Sequence, residues 1–169
     1  MNEKALSFAR QSQAGTALLD WWRGLERRPG DRAELRRCSC TTDVFFVPAF
    51  HRLRLTLLEH GRVRNEKLAV VAAVVAHVKI DMHTRRFAEQ MASPKEGKSS
   101  VAVSGLRFRR ILQVGEDERD ALLRAMSRVV RLLGGAANIT DLATALYWWN
   151  DRTRRDWATL YYTNAPQED

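Results

Sequence analysis

The chain is short of the features that would fix its chemistry at a glance. It has two cysteines in 169 residues. Cys38 and Cys40 lie one residue apart, which is no disulfide framework. A globular chain of this length buries roughly 70% of the surface its unfolded form exposes, so it needs no covalent staple. Cys38, Cys40 and His51 are too sparse for zinc, which takes four ligands in recognised pairings. His77 and His83, six residues apart, do not share a helical face. No apolar run approaches the ~20 residues that cross a bilayer; the longest spans 68–76. Residues 1–12 are polar, with Glu3, Lys4 and Arg10, and lack the apolar core of a signal peptide. A cytoplasmic protein without membrane contact is therefore expected. Strand-like alternation bounded by hairpin turns is missing as well, and so is any internal repeat.

Catalytic signatures are equally scarce. No Ser or Cys sits in a nucleophile motif, and no Gly-rich phosphate cradle is present. Glu116-Asp117-Glu118 looks like a metal-binding acidic patch in isolation. Its place before a predicted helix gives it a simpler role, complementing the positive end of the helix dipole. The expectation is a protein that is not an enzyme and carries no cofactor or metal.

Acidic residues are also in deficit. Against 28 Lys and Arg there are 20 Asp and Glu, leaving +8. Only five of the basic residues are lysine. Arginine forks onto phosphate and stacks on bases, and such a surplus favours a polyanionic partner. With 45% hydrophobic residues and five tryptophans the chain is not disordered.

What the chain does contain is helix after helix. Apolar positions recur every three or four residues around Leu18, Leu19, Trp22 and Leu25, and Pro29-Gly30 stops that pattern. Asp31 and Glu34 have capping-box spacing and open a short basic helix through Arg37. A third helix starts before Pro48, with Phe46, Phe50, Leu53 and Leu57 on one side. Residues 68–76 have no polar face and mark the central helix of a bundle, with the apolar pattern reaching Val78 and Ile80. The stretch 93–103, with Pro94, Gly97 and three serines, reads as a mobile loop. Beyond it, Ser104 caps a helix over 106–114, and Gly115-Glu116-Asp117 opens a longer one that Gly134-Gly135 ends. Asn138 or Thr140-Asp141 starts the next, and a last helix follows Asn150-Asp151. The predicted fold is all-α: two packed small bundles of about eight helices, residues 1–92 and 104–169, with no sheet. The aromatic residues sit at core spacing, and where two Trp adjoin, only one can point inward.

The charge pattern is the functional clue. At 100° per residue, Arg124, Arg128 and Arg131 fall within about 60° of one another, opposite Leu122, Met126, Val129 and Leu133. Arg107, Arg109 and Arg110 form a second cluster. Arg36, Arg37, Arg52, Arg54, Arg62 and Arg64 form a third. Such faces either keep a protein solvated or track phosphates; three on one chain favour nucleic-acid backbone contact over base reading.

Four motifs then resemble the CasB family, the small subunit of the type I-E CRISPR surveillance complex, Cascade. They are Gly30-Asp31-Arg32-Ala33-x-Leu35-Arg36-Arg37; Pro48-Ala49-Phe50-x-Arg52-Leu53; Arg107-Phe108-Arg109-Arg110-Ile111-Leu112; and Asn138-x-x-x-Leu142-x-x-x-Leu146-x-Trp148-Trp149 with Arg152 and Trp157 beyond it. The resemblance runs from about Gly15 to Thr163. It implies a non-catalytic antiviral-defence subunit, present as a head-to-tail pair beside the backbone subunits bound to CRISPR RNA, and touching the large PAM-recognising subunit. Its basic surface holds the target and displaced strands of the R-loop. Arg37, Arg64, Arg110, Arg128 and Arg152 match the family's basic pattern. Arg36, Arg52, Arg109 and Arg131 join them from the charge faces alone. A free-standing helical DNA-binding regulator is the alternative, and it would need a base-reading helix. Two further readings are an enzyme and a scaffold whose charges only solvate it.

Overall fold

The structure, a computed structural model, describes residues 4–166. In chain order its elements are α1 (Gln13–Gly24), a 3-10 turn (Leu25–Arg27), α2 (Pro29–Arg37), α3 (Thr41–Phe45), α4 (Pro48–Leu58) and α5 (Asn65–Val75). There follow β1 (Ile80–Asp81), α6 (Phe87–Ala92), α7 (Gly105–Leu112), α8 (Arg119–Leu132), β2 (Ala136–Ala137), α9 (Ile139–Tyr147) and α10 (Asp151–Asn164). Ten α-helices among the described residues exceed the expected eight, chiefly because α3 and α6 are too short to leave a periodic signature.

Local chemistry sets most boundaries. The side chains of Ser104, Asn138 and Asn150 cap α7, α9 and α10 by accepting from the backbone N–H three residues on. Two expected starts are displaced. Helix α2 begins with Pro29 at its first position, and Asp31 pairs with Arg52 on α4 instead of closing a capping box. Helix α8 begins at Arg119, so the acidic run precedes the helix instead of forming its first turn.

Helix α5 is the hub. Leu68 through Val75 are all buried, and α2, α3, α4, α8 and α9 pack around them. A helix apolar all round is stable only inside such a shell. The apolar pattern does not continue as helix to Ile80, because the chain leaves α5 at Ala76. Gly134 and Gly135, with φ of 71° and 81°, turn the exit of α8 so that the Gly135 carbonyl accepts from the Lys79 and Ile80 N–H groups at 2.7 and 3.1 Å. A small parallel pair follows, Ile80 opposite Ala136 and Asp81 opposite Ala137. The sequence reading allowed no sheet; this two-residue ladder corrects it, and it is too short to carry any alternation.

Buried residues before and after the 93–103 segment belong to one hydrophobic cluster, and α6 packs directly on α10. The segment itself is tied at its base, where Pro94 bridges Val101 and the Ala102 N–H donates to the Ser93 carbonyl at 2.9 Å. Of the adjacent tryptophans, Trp22 and Trp149 are buried, donating to the carbonyls of Val78 and Val114. Their neighbours Trp21 and Trp148 are half-buried. Among the described residues no helix is long and apolar enough to cross a membrane.

Candidate nucleic-acid interface

Because α2 and α8 both pack on α5, their exposed faces meet at its C-terminal end. Arg32 and Arg36, one turn apart on α2, reach over that end. Arg36 donates through Nε to the Ala76 carbonyl at 2.9 Å, and Arg32 donates to Ala76 and Val78 at 3.2 and 2.6 Å. Both satisfy carbonyls that a helix terminus leaves without an intrahelical partner, and both complement its negative dipole end. From the other side comes Arg131 of α8. It acts with Arg36 and Arg32 on His77, which is only 6% exposed. Burial and then these three cations push the His77 imidazole down to about 4, so it is neutral at physiological pH.

The seam continues along α8. Arg124 donates to the Ser39 carbonyl just beyond α2, at 3.2 Å. Arg128 lies on the same stripe between Arg124 and Arg131, a run of about 10 Å at 1.5 Å per residue. Arg37 is exposed at the end of α2. None of Arg36, Arg37, Arg124, Arg128 and Arg131 is in an ion pair among the described residues. Two nearby carboxylates are otherwise engaged: Asp120 accepts from the Thr41 N–H and Asp43 from the Ser39 N–H. That second bond is the main reason the Asp43 carboxyl lies below its ordinary value. The sequence reading left Arg32 out of its site residues. Its spacing of four from Arg36 was the available signal, but its grip on α5 depends on tertiary packing.

The other site residues lie elsewhere. Arg52 is half-buried on α4 and its charge is met by Asp31. Arg64 precedes α5 at the opposite end from the seam and is exposed. There Lys67 stands 5.1 Å over the Trp148 ring, and Arg119 pairs with Glu66 at 3.6 Å. Arg109 and Arg110 are exposed on α7, and Arg152 is exposed in the first turn of α10. These two helices meet where Arg154 donates to the Leu112 carbonyl at 3.1 Å. So Arg36, Arg128 and Arg131 lie along the seam, while Arg37 projects about 100° away from Arg36 on α2. Arg109, Arg110 and Arg152 belong to the α7 and α10 side, and Arg64 stands apart.

Other reactive groups are muted. Burial, then Asp43, pushes the Cys38 thiol up to about 11, so it is protonated at neutral pH. Among the described residues no three His, Cys, Asp or Glu side chains gather where they could hold a metal ion.

A solved structure described as CasB from Thermus thermophilus shares the fold, with a TM-score of 0.62 and 21% sequence identity over 90% of this chain and 99% of that one. No curated protein matches. The family model of the CRISPR-associated protein Cse2 matches residues 31–162, a span that takes in α2, the hub helix α5, the stripe of α8 and most of α10. The chain belongs to the CRISPR-associated Cse2 family, also called CasB.

Proposed function

We propose that this Cascade subunit is non-catalytic and holds nucleic-acid backbone along the seam of α2 and α8, steadying both the target strand and the displaced strand of the R-loop. The observation that carries this reading is the meeting of Arg32, Arg36 and Arg131 around His77 with no carboxylate paired to Arg36 or Arg131. Arg32 and Arg36 are held there by the carbonyls at the end of α5, but bringing Arg131 to them across about 95 residues of sequence adds like-charge repulsion. A polyanion passing over them relieves that repulsion. Exchanging a DNA duplex for a guide heteroduplex is close to balanced in free energy, so modest backbone contacts tip it while base pairing carries the sequence information. Arg128 extends the track; Arg109, Arg110 and Arg152 supply a second contact region. The partners are the R-loop formed by CRISPR RNA and target DNA, the backbone subunits, the large PAM-recognising subunit and a second copy of this chain placed head to tail. The setting is the cytoplasm.

The test is the salt dependence of single-strand binding. Each phosphate contact contributes about −0.7 to the slope of log affinity against log salt. Replacing Arg128 and Arg131 together by Ala should flatten the slope by about 1.4 and weaken R-loop retention in assembled Cascade. An unchanged slope together with unchanged retention would remove the seam from the function.

A further inference from the structure

A second surface has a different chemistry. Between the 93–103 segment, the start of α7 and the end of α10 lies an open groove of about 750 Å³. Its floor is aromatic and rigid. Phe108 and Tyr161 stack nearly parallel, centroids 3.9 Å apart, and the Tyr161 hydroxyl donates to the Val103 carbonyl at 2.6 Å. Tyr162 meets both rings edge to face, at 5.9 and 5.2 Å, yet is 52% exposed. Its ring is thus braced by two buried neighbours while much of it faces water. Leu106, 54% exposed, supplies an aliphatic wall. Arg109, Ser99 and Ser100 line the rim, and among the described residues no carboxylate does. Arg109 is in no ion pair among the described residues.

We infer that this groove receives an unpaired nucleobase, stacked on Tyr162 and against Leu106, with the adjoining phosphate held by Arg109 and the serine hydroxyls. Three features select this occupant. A large ring left half in water beside a stacked aromatic pair exposes a π-face for which base stacking is the natural cover. The charge that the described residues place at the rim is positive, that of Arg109, matching phosphate. The combination of one platform, one aliphatic wall and one guanidinium fits a single nucleotide better than a duplex, whose bases are already covered. The stacking part of this binding does not depend on salt, whereas the Arg109–phosphate contact, like the seam, does. The inference rests on the nucleic-acid reading above for the partner but uses none of the seam residues.

The experiment compares a labelled 12-nucleotide thymidine strand with a fully abasic strand of the same length, both titrated with the full chain at one salt concentration. The base-bearing strand should bind at least roughly fivefold more tightly, the lower end of what one stacked base supplies. Tyr162→Ala should bring the two affinities together by weakening only the base-bearing strand, and Tyr162→Phe should restore the difference. Arg128→Ala with Arg131→Ala should weaken both strands alike and keep their ratio. A wild-type ratio near one, or a ratio that survives Tyr162→Ala in protein with an unchanged melting temperature, overturns the inference and leaves the seam untouched. Loss of the ratio in Tyr162→Ala alongside no effect of the seam variant would support the groove and sink the proposed function. If Tyr162→Ala alters neither affinity but lowers the protein's retention in assembled Cascade, the groove is a protein dock and the inference fails.

Discussion

The two ends of α5 both gather cations, yet they hold them differently. At the C-terminal end Arg32 and Arg36 lie against helix carbonyls and Arg131 joins them without a paired carboxylate. At the N-terminal end Arg64, Lys67 and Arg119 are accompanied by Glu66, Glu116 and Asp117. The helix explains the contrast. Its C-terminus carries a partial negative charge and unpaired carbonyl oxygens, which receive guanidinium groups directly; its N-terminus repels cations, which then need carboxylates nearby. The lowered Lys67 amine shows the strain of that second arrangement: burial is the main cause, Arg64 and Arg119 add to it, and Glu116 and Asp117 oppose it. Carboxylates therefore crowd the cations at the N-terminal end, while Arg36 and Arg131 at the other end are in no ion pair among the described residues.

The strongest way to break this comparison is to remove the anchored pair. Replacing Arg32 and Arg36 together by Ala leaves the buried Ala76 carbonyl without its side-chain donors and should cost about 4 kcal/mol of stability in urea unfolding, at 1.5–3 kcal/mol for each charged hydrogen bond. A loss below 1 kcal/mol would mean these arginines do not cap α5. The next effect is on pH. His77 titrates near 4 in the folded chain against about 6.5 unfolded, so between those values the unfolded state binds more protons. Stability should fall by up to about 3 kcal/mol as pH drops through that window, and a His77→Gln variant should show a shallower fall. Binding of a polyanion at the seam should raise the His77 value, which NMR of the imidazole can follow. The smallest effect belongs to the N-terminal end. Lys67→Met keeps the stem over Trp148 and loses the cation–π contact, while also relieving repulsion from Arg64 and Arg119. The net destabilisation should be about 0.5 kcal/mol, and a loss as large as that of the arginine pair would erase the distinction.

The sequence made the helices legible wherever a cap and a period coincided, as at Ser104, Asn138 and Gly134-Gly135. It failed where a side chain had a better partner far along the chain. Asp31 has capping-box spacing, but an arginine 21 residues on takes it. Val78 and Ile80 extend an apolar pattern, but a carbonyl of Gly135 takes the backbone after Lys79. The site follows the same rule. The stripe of Arg124, Arg128 and Arg131 is a property of one helix and can be drawn from spacing alone. That α2 lies beside it, that Arg32 belongs with Arg36, and that Arg52 is matched by Asp31 are properties of packing. The brace behind Tyr162 was also out of reach, since helical spacing marks all these aromatics equally as core.

The hold of Arg36 on the Ala76 carbonyl has one more consequence. A side chain tethered at Nε has few rotamers left to surrender, and its terminal amino groups stay aimed in one direction before any ligand arrives. A lysine in its place would preserve the charge but could not grip the carbonyl through a mid-chain nitrogen while presenting a separate planar fork. The conservative exchange at 36 should therefore act as a loss of rigidity at constant charge, visible as a faster off-rate with an unaltered on-rate.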